Sequence, residues 1–299
     1  MSRPGDIVGR LPRPVQAALA MTVATLCASV VNGFMRSWSQ EFHPFQVAFF
    51  RLLFGLVFVM PMLLHAGRTA LRTQRHGLLL LRGCLTAALT AGWVVSLQFL
   101  PVDKATALNF TVPIWATIGA ALFLHETVGP RRWAAVAVGA LGSLVILRPG
   151  LTDYEPASIV PLLVAGLMAA VMLIVRSLGR TESPVTIMIY MYLYAPPFLL
   201  LPALWVWQAP SAGFLLATLA MAGIGTVGMT MYTLAFGRAD ASVVAPFDFL
   251  RLPFGAMVGL IWFGELMDFW SWIGAGVILV SSAYIAQREA SARGVADGS

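Results

Sequence analysis

The chain has 299 residues, 59% of them hydrophobic and only 11% charged, with a mean hydropathy of +0.82. A soluble domain carries about a quarter charged residues, so this chain cannot cover itself with a polar surface and lipid is its predicted solvent. The net charge is +6, but the arginines are scattered between apolar stretches and form no basic patch, which excludes nucleic acid as a partner.

Ten apolar segments are long enough to span a bilayer, near 15–35, 44–65, 77–99, 103–124, 131–148, 156–176, 184–206, 211–236, 240–263 and 270–286. The first follows Arg3, Arg10 and Arg13, and its apolar run exceeds the core of about 7–15 residues of a cleaved leader. It therefore reads as a span. The second, fifth and seventh begin at His43-Pro44, Gly129-Pro130 and Ser183-Pro184, with proline in the first helical turn. Short connections make neighbours antiparallel. Past Gln287 the tail from Arg288 to Ser299 is polar and is expected to fray. Cys27 and Cys84 sit in apolar runs, give no metal or disulfide spacing, and read as packing residues.

Placing the N-terminus inside puts most of the basic residues on one side, among them Arg68, Arg72, Arg75, Arg82, Arg131, Arg132, Arg176, Arg180 and Arg238. Arg36, Lys104 and Arg148 fall on the other side, and Arg51 and Arg251 within spans. The bias predicts cytoplasmic N- and C-termini in a bacterial-type inner membrane.

An internal repeat runs through the chain. Arg36 and Arg176, Pro44 and Pro184, and Pro113 and Pro253 are displaced by 140; Glu126 and Glu265, and Trp133 and Trp272, by 139. The stretch 98–105 matches better near 234–241, which puts an indel at the start of the ninth helix. Each copy holds five helices. Five is odd, so the second enters from the opposite side, giving an inverted repeat with a pseudo-twofold axis in the membrane plane. The expected fold is an all-α membrane protein of ten transmembrane helices in two inverted five-helix repeats, 1–148 and 149–287, followed by the tail 288–299.

The segments "LFLHETVGPRRWAAVAVGALGSLVIL" and "WFGELMDFWSWIGAGVILVSSAYI", with a glutamate before a last helix rich in small residues, resemble the EamA family of the drug/metabolite transporter superfamily. Within it the chain looks like the YddG-type amino acid exporters. The resemblance implies a secondary transporter working by alternating access, with a small-molecule substrate and no cofactor. Amino acids lead the expected substrates; a nucleotide sugar or a cationic drug is the alternative. A membrane-embedded lipid-modifying enzyme needs a nucleophile or metal cluster, and no HExxH, phosphate loop or paired-carboxylate motif is present.

Asp248 and Arg251 share one face near the middle of the ninth span, where a charge costs about 2.5–3.5 kcal/mol or more. They are either a self-neutralising structural pair or a cavity lining that holds a carboxylate and an amine or proton. Arg51, about 10 Å deep in the second span, either snorkels to Glu41 or holds anionic substrate. Pro113 and Pro253 are expected to kink the fourth and ninth helices and free carbonyls at Asn109 and Phe249. Asn109 itself, Trp93, Trp115, Tyr190 and Tyr232 are candidate walls of the cavity. Glu126 and Glu265 lie at opposite surfaces and are expected to cap helices or close gates. Ala135, Gly139 and Ser143 recur every four residues and predict close packing against helix ten or a second subunit of a homodimer.

Overall fold

The computed structural model describes residues 12–67, 71–123, 129–147, 159–179, 181–239, 244 and 247–296. These form α1 (Arg13–Ser39), α2 (Pro44–Ala66), α3 (His76–Phe99), α4 (Val102–Asn109), α5 (Val112–Phe123), α6 (Pro130–Leu147), α7 (Val160–Leu178), α8 (Pro184–Trp205), α9 (Ala212–Arg238), α10 (Arg251–Phe263) and α11 (Phe269–Ala296), with no strand among the described residues. Proline sets several of the starts. α2 opens with Pro44 behind His43, whose ring accepts from the Phe45 N–H, and α8 with Pro184 behind Ser183, whose hydroxyl accepts from the Thr186 N–H.

Two differences from the sequence expectation matter. The fourth span is not one helix: it ends at Asn109 and restarts at Val112. The tenth helix does not stop at 287 but runs to Ala296, with the good helix formers Gln287, Arg288, Glu289 and Ala290 carrying it past the apolar run. At 28 residues α11 is about 42 Å long, so it outreaches a hydrocarbon core of about 30 Å.

The outer faces suit lipid. Leu64 and Leu201 are 76% exposed and Val280 72%, on a surface no water-soluble protein would present. α1, α2, α3, α8 and α9 are each long and apolar enough to cross a membrane. α5 and α10 are shorter because each is the second part of a broken span.

Contacts between the two halves come in pairs that exchange when the halves are exchanged. α1 packs on α9, and its mate α7 packs on α3. α3 packs on α8, and α9 on α2. α1 meets α10, and α7 meets α4 and α5. The pairs α2 with α8, α6 with α11, and α4 with α10 map onto themselves, and only the contacts of α11 with α4 and α5 lack a comparable mate among the described residues. This is the contact pattern of a pseudo-twofold, and five spans per half make it inverted. The chain is an all-α membrane protein of ten spans in two inverted five-helix repeats.

The small-residue stripe on α6 resolves in favour of α11. A Cβ on Gly142 would lie 2.9 Å from the Gly274 carbonyl, and one on Gly274 2.6 Å from the Gly142 carbonyl, so only glycine lets these backbones cross. Ser281 on α11 donates to the Ala135 carbonyl nearby.

Candidate functional site

The prolines do not kink continuous helices. The α4–α5 span breaks through a turn at Phe110–Thr111, and the α10 span through a turn at Phe249–Leu250. Pro113 and Pro253 fall in the first turn of the new helices, where a missing N–H leaves nothing unsatisfied. Tight bonds close the turns: Thr111 N–H donates to Leu108 C=O, and Leu252 N–H to Phe249 C=O, each at 3.1 Å. Serines from other helices take up further carbonyls. Ser282 of α11 donates to Phe110 C=O at 2.8 Å, and Ser29 of α1 to Arg251 C=O at 3.4 Å.

The breaks face each other. The Phe110 and Phe249 rings meet edge to face with centroids 5.5 Å apart. These phenylalanines occupy equivalent places in the repeat, since Asn109-Phe110 precedes Pro113 as Asp248-Phe249 precedes Pro253 with one residue more between. Their contact therefore marks the pseudo-axis. Polar groups gather beside it. Asn109 has a buried side-chain oxygen without a hydrogen-bond partner. Asp248 and Arg251 form an ion pair at 2.9 Å, but the N–H is not aimed along that contact, and neither atom has an aligned hydrogen bond. Arg251 is the first residue of α10, where a helix N-terminus repels a cation; the preceding carboxylate offsets this. Tyr232 of α9 lies within electrostatic range of both charges.

Trp93 of α3 donates from its indole N–H to the Asn32 side-chain oxygen of α1 at 2.9 Å. The sequence reading passed over Asn32 and Ser29. Their signal was a polar stripe, Thr25, Ser29, Asn32 and Arg36, recurring every three or four residues along the otherwise apolar α1.

Other candidates lie elsewhere. Trp115 packs on α7, its ring 3.5 Å from a Cβ built at Gly166, in a cluster with Val112, Ala165 and Ala169. Tyr190 is 5% exposed; it donates to Leu71 C=O at 2.8 Å and packs against His76 and Tyr194, which ties the α2–α3 connection to α8. Arg51 forms no ion pair with Glu41 and sits near Tyr192 of α8 instead. Arg82, assigned to a cytoplasmic segment, is well inside α3 and donates to Ile187 C=O at 2.6 Å. Glu126 lies outside the described residues.

Glu265 ties the end of α10 to α1 at one end of the bundle. It follows Gly264, which ends α10 in the left-handed conformation at φ 67°. Glu265 pairs with Arg36 at the end of α1, and the Arg36 guanidinium lies 4.7 Å from the Phe263 ring centre. Lys104 of α4 pairs with Asp268 at 3.5 Å alongside. Trp262 packs edge-on against Phe34. At the opposite end, where α1 begins and α9 finishes, Arg13, Gln16, Gly237 and Arg238 line a cavity of about 400 Å³.

Known proteins share this architecture. A solved crystal structure superposes with a TM-score of 0.58 at 18% identity, covering 90% of this chain and 96% of its own, which shows the fold alone. The chain is 36% identical over 281 residues to a riboflavin transporter of Vibrio cholerae, covering 92% of this chain and 94% of that protein. It is 30% identical to an S-adenosylmethionine uptake transporter of Rickettsia felis (90% and 92% covered) and 26% identical to a pseudopaline exporter of Pseudomonas aeruginosa (88% and 92%). These are transporters, not enzymes. The model of the EamA-like transporter family matches residues 15–148 and again 157–287, and the chain belongs to that family, as a transporter of small metabolites.

Proposed function

We propose that the chain is a secondary carrier of a small ring-bearing metabolite, riboflavin first, which binds between the two helix breaks and crosses by alternating access. The observation that carries this reading is the meeting of the breaks at Phe110 and Phe249, beside the unpartnered Asn109 oxygen. Riboflavin is uncharged at neutral pH, with a flat tricyclic ring, an imide N–H and a hydroxylated chain. Such a solute needs aromatic faces and a few hydrogen bonds more than matched charges. Phe110, Phe249 and Trp93 supply the faces, and the Asn109 oxygen suits an imide N–H. The likeness to riboflavin transporters supports the same substrate.

A second substrate reading is amino acid export. Asp248 and Arg251 offer opposite charges whose mutual contact is poorly aligned, so the ammonium and carboxylate of a zwitterion can compete for them. The relatives that take up S-adenosylmethionine, itself an amino acid joined to a nucleoside, fit either reading.

The pairs Arg36–Glu265 and Lys104–Asp268 then close the outer end. Within the halves, α3 packs on α1 and α2, while its mate α9 makes no comparable contact with α7 or α8 among the described residues. Such a difference between equivalent helices is what one-sided opening of an inverted repeat requires. The repeats divide near 148, and both termini lie in the cytoplasm of an inner membrane.

Counterflow in liposomes tests the reading. Liposomes preloaded with riboflavin should take up labelled riboflavin transiently, whereas phenylalanine loading should not drive it. Exchange with phenylalanine alone would favour the second reading, and exchange with neither would end both.

A further inference from the structure

One polar cluster is used by none of these roles. It lies between α2, α3 and α8, around Tyr192. Arg51 is on the inward side of α2, with Val47, Ala48 and Gly55 buried on the same face. A Cβ on Gly55 would lie 2.2 Å from the Tyr192 ring, so that ring packs directly on α2 one turn from Arg51. Arg82 reaches the same place from α3. Its terminal nitrogens meet Ile187 C=O at 2.6 Å and Met191 Sδ at 3.5 Å, one turn apart on α8, while its Nε is buried without a partner. Tyr192 is an ionisable side chain within electrostatic range of both arginines, and among the described residues neither arginine pairs with a carboxylate. Among the described residues neither the Arg51 guanidinium nor the Tyr192 hydroxyl makes a hydrogen bond or ion pair.

An arginine inside a membrane bundle ordinarily has a carboxylate or carbonyl partner. Arg82 has one in Ile187 C=O, but its Nε, the Arg51 guanidinium and the Tyr192 hydroxyl keep spare donors, and among the described residues no acid pairs with them. Every free group can donate, and a guanidinium has no lone pair to offer. The complement is a group that only accepts and carries negative charge. We propose that Arg51, Arg82 and Tyr192 form an oxyanion subsite that takes the carboxylate or phosphate of an anionic solute. Arg51 and Arg82 supply charge and directed N–H groups, and Tyr192 adds a hydroxyl donor. The proposal goes beyond the flavin reading and stands without it, because a neutral flavin has no use for this cluster.

The test uses purified full-length chain in phosphatidylcholine nanodiscs, with binding measured by titration calorimetry. The probes are benzoate and phenyl phosphate, with benzamide as a neutral match; none is a flavin, so a chain that moves no riboflavin can still pass. The anions should bind at least about tenfold more tightly than benzamide, since charge-assisted hydrogen bonds are worth that order. Arg51→Gln should abolish the preference and leave benzamide unchanged, and Arg82→Lys should reduce it, because the planar fork is lost. If Arg51→Gln does not yield folded protein, Tyr192→Phe removes a single donor and should still lower the preference several-fold. Equal binding of anion and amide, or a preference that survives these substitutions, would overturn the proposal. So would phosphatidylglycerol discs that block both anions irreversibly, which would make the occupant a lipid headgroup.

Discussion

Glu265→Gln tests how the bundle is held shut at one end. The substitution keeps side-chain shape and removes the charge facing Arg36. The Arg36 side chain is 11% exposed and that of Glu265 32%, and Arg36 Nη1 and Glu265 Oε2 are buried without other partners. Removing one member of a fully buried pair costs about 3–5 kcal/mol, while an exposed pair contributes about 0–1 kcal/mol. With one partner almost enclosed and the other a third open, about 1.5–2 kcal/mol is reasonable between those limits. The Lys104–Asp268 pair, a third exposed at 3.5 Å, adds little. If the pair exists only in the closed state, its loss shifts the opening equilibrium about ten- to thirtyfold. A cysteine at Ser29, in a background lacking Cys27 and Cys84, reports this opening. Its labelling by an impermeant reagent in whole cells should accelerate by that factor in Glu265→Gln, and the swap Arg36→Glu with Glu265→Arg should restore the slow rate. Unchanged labelling in the single variant would refute the gate, and so would a swap that behaves like the single variant.

Other outcomes follow from the same contacts. Asp248→Asn strips Arg251 of its counter-charge and should slow transport about tenfold, on about 1–2 kcal/mol for a part-buried pair; intact transport with an unchanged pH response would remove Asp248 from any coupling role. Arg251→Ala should weaken carboxylate-bearing solutes more than cationic ones by about tenfold or more, whereas equal losses in a competition assay would indicate misfolding. Gly142→Leu should lower the thermal midpoint in detergent, overpacking the α6–α11 crossing at a cost of about 1–3 kcal/mol; an unchanged midpoint would mean those backbones are not in contact. A cysteine appended after Ser299 should react with impermeant reagent only after cells are permeabilised, and reaction in intact cells would reverse the assigned orientation.

The spans were legible because the hydrophobic runs are long and their prolines stand where helices start. The inverted repeat was legible because Pro113 and Pro253 are displaced by 140, and Glu126 and Glu265 by 139. The breaks were not. An intramembrane proline is compatible with a bend in one helix or with the first turn of another, and the choice depends on whether neighbours satisfy the freed carbonyls. Here Ser282 does so for Phe110, from a helix 172 residues on in sequence. Depth alone also selected Trp115 and Tyr190, which turn toward α7 and toward Leu71. Depth fixes cost, but only contacts fix direction. Asn32 was missed for the opposite reason: its place in the polar stripe of α1 shows a shared face, but not that Trp93 binds it.

The repeat also explains why the two breaks are unequal. Asn109-Phe110 and Asp248-Phe249 are mates, yet one polar residue is neutral and the other charged, and the second copy has one residue more between its phenylalanine and its proline. Arg251 lies between Phe249 and Pro253 and begins α10. A carboxylate alone would be costly at this depth, and a cation alone would oppose the helix dipole, so neither change is favourable without the other. Together they make a pair about a third exposed whose contact lacks good alignment, and such a pair gives up little when a solute intervenes. The first break has only the Asn109 oxygen to offer. A solute held between the breaks therefore meets an exchangeable charge from one half and a fixed acceptor from the other, so rocking one half against the other changes its electrostatic surroundings as well as its access.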